Sequence, residues 1–183
     1  RAQRHPASPA ARGLRSRPAA GARSYGAMRL RIIAVGTKMP QWVDAGVDDY
    51  ARRLRAHWKF ELLEIPAGKR SASQSAERAI AAEGERVLAA LRPQERAIAL
   101  DERGQAMTTR ELAARLAAGE REGHDLALLV GGPDGHAPPV RQRTVESWSL
   151  SRLTLPHGLA RVLLAEQLYR AQSLLLNHPY HRD

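Results

Sequence analysis

An α/β fold, a parallel-type sheet flanked by helices, is what this sequence predicts, and three observations carry the reading. Short apolar runs alternate with segments whose apolar residues recur at helical spacing. Turn residues separate them. Each strand-like run is followed by enough chain for a helix, as parallel strands with right-handed crossovers and helices on both faces require.

The strand candidates are Leu30 to Val35, Lys59 to Ile65, Ala97 to Leu100, Leu126 to Val130 and Leu150 to Leu155. Between the first two, Pro40 suits a first helical turn, and Val43, Val47, Tyr50 and Leu54 line one helix face. Ile80, Val87, Leu88 and Leu91 mark a second helix, which Pro93 ends. Thr108 and Glu111 have capping-box spacing ahead of Leu112 and Leu116, so a third helix starts there. A fourth, shorter helix is expected from about Pro139 to Glu146. The last begins near His157 and carries Leu159, Val162, Leu163, Leu168, Tyr169 and Leu174. In such a sandwich, a ligand is expected beyond the carboxyl ends of the strands.

At 183 residues the chain suits a single domain of ordinary size. Cysteine is absent, which excludes disulfides and thiolate chemistry and suits a reducing compartment. No run of about 18 apolar residues occurs, so no membrane-spanning helix is expected. The seven histidines show no zincin-like spacing, and no metal site is expected. Formal charge is +10, yet residues 1–27 hold six arginines and no acid. Without them 23 basic residues face 19 acidic ones, a balance that accepts an anionic partner such as RNA without demanding it. Residues 1–27 are too poor in apolar side chains for a core and read as a disordered basic extension. Upstream sequence ahead of a start at Met28 explains them more simply than a targeting segment.

Several segments have the composition of a site. Leu128-Leu129-Val130 runs into Gly131-Gly132-Pro133-Asp134-Gly135, where missing Cβ atoms let a ligand approach the backbone; a tight turn needing positive φ is the plainer reading. Ser147 to His157 combines hydroxyls, leucines and Pro156 ahead of a helix, although the leucines also suit a core strand. Lys69 and Arg70 lie on a Gly-containing loop that can reach phosphates or merely be solvated. The carboxyl end, Asn177-His178-Pro179-Tyr180-His181-Arg182, has residues that stack on bases and grip phosphate, though termini commonly fray. In the last helix, His157 and Tyr169 are plausible proton carriers, while Arg161 with Glu166 fits an exposed face.

Taken in order, Ala34-Val35-Gly36-Thr37-Lys38-Met39-Pro40, Glu64-Ile65-Pro66-Ala67-Gly68-Lys69-Arg70, the glycine segment, Ser149 to His157, Arg161 to Ala171 and Asn177 to Arg182 resemble one family. It is the SPOUT-superfamily methyltransferases that act on N3 of a pseudouridine in large-subunit (23S) ribosomal RNA, and the resemblance runs from Met28 to the last residue. It implies a SPOUT domain over residues 28–183 with a deep carboxyl-terminal trefoil knot, a homodimer, a cytoplasmic location, and S-adenosyl-L-methionine (SAM) as methyl donor. It also implies a SAM pocket formed by Leu100, by Gly131 and Gly132, and by Leu150, Ser151, Arg152, Leu153, Thr154 and Leu155. The chain departs from the family in residues 1–27 and in His136, where an apolar residue is usual.

Methylating an imide nitrogen requires its proton to leave, so a base or an anion-stabilising cation is needed beside the methyl donor. The candidates are His157, Tyr180 and His181, with Arg161 or Arg182 as electrostatic partners; Lys69, Arg70 and Arg182 are expected to meet RNA. The substrate implied is 23S RNA in the large subunit or whole ribosome. Transfer RNA as the target of the same pocket, or a non-catalytic ribosome-associated RNA-binding protein, are the alternatives.

Overall fold

The computed structural model describes residues 28–71 and 75–180, and the segments read above at residues 1–27 and 181–183 lie outside that range. The elements are β1 (Arg29–Val35), α1 (Gln41–Leu54), β2 (Lys59–Ile65), α2 (Ala76–Ala90), β3 (Arg96–Ala106), α3 (Thr109–Glu122), β4 (Leu126–Val130), α4 (Pro138–Arg143), β5 (Glu146–Ser149) and α5 (His157–Leu175). One sheet has the order β2-β1-β4-β3-β5, and every neighbouring pair is parallel.

Strands β1 and β4 sit inside the sheet and are covered on both faces, which is why they read as unbroken apolar runs. Successive side chains go to opposite faces. Leu30, Ile32, Leu126 and Leu128 join α1, α3 and α5 in the larger core through Leu54, Leu116, Leu164 and Leu168. Ile33, Val35, Ala127 and Leu129 face α2 and α4, meeting Val87, Ala137 and Val140. Arg31 is the exception in β1: buried, it donates to Glu95 at 2.8 Å and to the Ala90 carbonyl at 3.2 Å.

The capping box at Thr108 and Glu111 is present, and Gly123 closes α3 in the left-handed region at φ 73°. Three expectations need correction. The fifth strand is Glu146–Ser149, and residues 150–155 form a loop instead. Leu153 is 76% exposed there, so the leucine spacing that resembles strand alternation is not a core pattern. The fourth helix stops at Arg143 because Thr144 leaves helical geometry and the chain enters β5. Strand β3 runs on to Ala106 rather than ending at Leu100. Its pairing with β5 is interrupted: both Leu100 and Gln105 register with Trp148, so Asp101 to Gly104 bulge out of the ladder.

Candidate active site

A cleft of about 600 Å³ opens at the carboxyl ends of β3, β4 and β5. Its walls are the β3 bulge, the glycine loop after β4, the loop after β5 and the start of α5. A side chain at either of two glycines in these walls would displace a neighbour. A Cβ on Gly131 would come within 2.9 Å of the Gly135 backbone, and one on Gly132 within 2.7 Å of the Glu83 carboxylate. The glycine loop therefore offers bare backbone to the cleft because its other side is already filled.

Glu83 of α2 is buried and accepts the Gly68 amide and the Arg70 guanidinium, each at 2.8 Å. Arg70 also donates to Asp134 at 2.7 Å. Hydrogen bonds to Glu83 and Asp134 raise the Arg70 pKa above its ordinary value. The loop after β2 is thus tied to the glycine loop through one arginine and one buried carboxylate.

Near the start of α5, Arg161 is 1% exposed and donates to Glu64 at 2.6 Å and to the carbonyls of Val35 and Gly36 at 2.9 and 2.6 Å. It is not on an exposed face with Glu166, as the sequence suggested; Glu166 pairs instead with Arg170. A guanidinium can be buried here because strand-end carbonyls and a carboxylate take its donors. Its Nε also donates to His157 Nε2 at 3.2 Å. Burial and then the neighbouring Arg161 charge push the His157 pKa down, so the imidazole is neutral and accepting.

Residues 28–181 match the model of a family described as "Predicted SPOUT methyltransferase". The chain belongs to the SPOUT methyltransferase family. Among its relatives, the "Ribosomal RNA large subunit methyltransferase H" of Chromohalobacter salexigens is 54% identical over 155 residues, covering 85% of this chain and all of that protein. The protein of the same name from Methylococcus capsulatus is 53% identical over 155 residues, with the same coverage. A crystal structure titled as a probable methyltransferase from Bordetella pertussis Tohama I shares the fold, with TM-score 0.51 and 21% identity over 79% of this chain and 94% of that one.

In this SPOUT methyltransferase, Leu100, Gly131, Gly132, Leu150, Ser151, Leu153, Thr154, Leu155 and His157 all line the cleft. Arg152 does not; its side chain is exposed beside it. Arg161 stands behind His157. Tyr180 is elsewhere: its hydroxyl donates to Glu166 at 3.2 Å and lies 3.4 Å from the Tyr50 hydroxyl, and its ring packs 4.7 Å from Tyr169. Tyr169 lies 12 residues along α5 from His157, which is about 18 Å of helix. His181 and Arg182 fall outside the described residues.

Sequence reasoning gave no role to the charged members of the walls, namely Asp101, Glu102, Arg103, Asp134 and Arg141. Arg141 stands 3.4 Å from Asp101, and Glu102 accepts the Thr154 hydroxyl at 3.3 Å, linking the β3 bulge to the loop after β5. His136, which the sequence marked as a departure without a partner, is buried, and its Nε2 donates to the Leu100 carbonyl at 3.1 Å. That carbonyl takes the imidazole's donor and accounts for a polar residue at this buried position. Burial pushes the His136 pKa down.

Proposed function

We propose that this chain is a SAM-dependent methyltransferase that methylates N3 of a pseudouridine in 23S ribosomal RNA, acting as a cytoplasmic homodimer on the large subunit or whole ribosome. The single observation that carries the substrate assignment is identity above 50% to two proteins named as large-subunit ribosomal RNA methyltransferases.

The cleft has the character such a donor needs. Bare backbone at Gly131 and Gly132, Leu100 just before the β3 bulge, and Leu150, Leu153 and Leu155 supply main-chain polar groups within an apolar slot, suited to an adenine edge and ring. Bound there, SAM supplies an activated methyl group on a sulfonium. The chain's part is then to place the target nitrogen in line and to help its proton leave. His157 is neutral at the cleft wall, and the Arg161 guanidinium behind it sets a positive field that favours the imide anion.

Tyr180 fits a different role from that of a base. Burial, its hydrogen bond with Tyr50 and the Glu166 charge raise its pKa, so it is a neutral phenol. Seated at the far end of α5 from its own cleft, Tyr180 serves catalysis from a second copy of the chain, together with His181 and Arg182. Exposed apolar side chains at the α1 and α5 starts, Trp42 at 57% and Leu159 at 41%, support a surface that a second copy covers. The trefoil knot is part of the same reading. Its support is the close passage of the β5 backbone beneath the β3 bulge, where a Cβ on Gly104 would meet the Trp148 carbonyl carbon at 2.6 Å. Lys69 completes the reading as an RNA contact on the loop that Glu83 holds.

The test is transfer of labelled methyl from SAM to purified large ribosomal subunits and to bulk transfer RNA, with mass mapping of the modified nucleotide. Label at a single pseudouridine of 23S RNA is expected; label on transfer RNA, or on neither, overturns the assignment.

A further inference from the structure

A second cleft, of about 330 Å³, lies at the amino ends of β1 and β2, the end of the sheet opposite the glycine loop. Arg29, Arg55, Lys59 and Arg92 line it, and Glu61 is its one acid. Trp58 and Phe60, both buried in the core, give it a fixed floor. Glu61 is shared by two guanidiniums, Arg31 at 3.3 Å and Arg92 at 3.4 Å, and Arg29 stands 3.8 Å from Asp125. Arg55 and Lys59 have no carboxylate partner among the described residues. Arg55 is nonetheless held in place, its Nε donating to the Phe60 carbonyl at 3.4 Å. The cleft therefore carries surplus positive charge on a rigid turn.

We infer that this cleft binds a backbone phosphate of the ribosomal RNA substrate, remote from the nucleotide that is methylated. The inference rests on the reading that large-subunit RNA is the substrate. Strand β1 separates the two clefts by its seven residues, about 20 Å of extended chain. A phosphate held that far from the reacting base carries no sequence information but fixes the orientation of a folded RNA across the domain. Cations alternating with apolar floor suit a phosphodiester, whose sugar edge is apolar and whose charge is a single anion per residue. An acidic protein surface would instead meet the exposed arginines over a broad area.

The test is the double variant Arg55→Gln, Lys59→Gln, which keeps most of the side-chain bulk at two exposed positions. Binding to large ribosomal subunits is measured from 50 to 300 mM salt, alongside SAM calorimetry and steady-state kinetics. Losing the contact to that one phosphate lowers the slope of log affinity against log salt by about 0.7 to 0.9. KM for subunits should rise, with kcat and SAM affinity unchanged. A photoreactive residue in place of Lys59 should crosslink to ribosomal RNA. An unchanged slope and KM in a variant that still methylates subunits, or crosslinks confined to ribosomal protein, overturns the inference and leaves the substrate assignment standing. Failure of the unaltered enzyme to methylate ribosomal RNA is a different result, and it removes both.

Discussion

The buried carboxylate of Glu83 lies so close to Gly132 that a Cβ at position 132 would stand 2.7 Å from Oε2. The same carboxylate holds Gly68 and Arg70, and Arg70 reaches Asp134 beyond the glycines. Helix α2, which lines none of the cleft itself, therefore sets the shape of the loop that does.

Gly132→Ala should force Glu83 out of its seat. Overpacking of this kind costs about 1 to 3 kcal/mol. Calorimetry should show SAM affinity falling by about tenfold or more, equivalent to about 1.4 kcal/mol, while circular dichroism stays that of a folded chain.

Lys69 and Arg70 are adjacent in sequence but should behave differently. Arg70→Ala leaves Glu83 buried with only the Gly68 amide. Breaking a fully buried pair costs about 3 to 5 kcal/mol, and because the Arg70 side chain keeps 30% exposure a loss of about 2 is expected. Lys69→Ala should leave urea stability unchanged and weaken RNA binding. Equal effects of the two substitutions on stability would contradict this division.

Arg161→Lys should be costly although it preserves charge. An ammonium cannot serve Glu64, two strand-end carbonyls and His157 at once from one planar fork. A loss of about 2 to 3 kcal/mol, or roughly 5 to 10 °C in Tm for a chain of this size, is expected in a thermal melt.

Acid should destabilise the fold before the carboxylates titrate. Burial depresses the pKa of both His136 and His157 below 6.5, so the unfolded chain binds protons that the folded one refuses. Their neutral forms therefore contribute full stability above about pH 6.5, and that contribution is lost as pH falls below it. Urea titrations at pH 7.5 and 5.5 should show the loss, and His136→Leu should reduce it. An identical pH dependence in the variant would count against the buried-imidazole explanation.

How much of this was legible beforehand follows from where each signal resides. Strands β2 and β4 appear at their expected limits and β1 begins one residue earlier, since a run buried on both faces is written as consecutive apolar residues. Strand β5 was missed because four edge residues, Glu-Ser-Trp-Ser, carry no apolar run, whereas Leu150, Leu153 and Leu155 imitate one while serving a cleft. The glycine loop was visible as composition, but the reason Gly132 must be glycine depends on Glu83, 49 positions away in the sequence. Arg161 was read as exposed because nothing in the helix pattern announces the carbonyls of Val35 and Gly36. Pairings between elements far apart in sequence exist only once the sheet is assembled.

The most direct measurement is a calorimetric titration of SAM into the unaltered protein and into Gly132→Val. The account predicts saturable binding at one site per chain in the first and its loss in the second, with both folded. Absence of binding to the unaltered protein, or equal affinity in the valine variant, would contradict it.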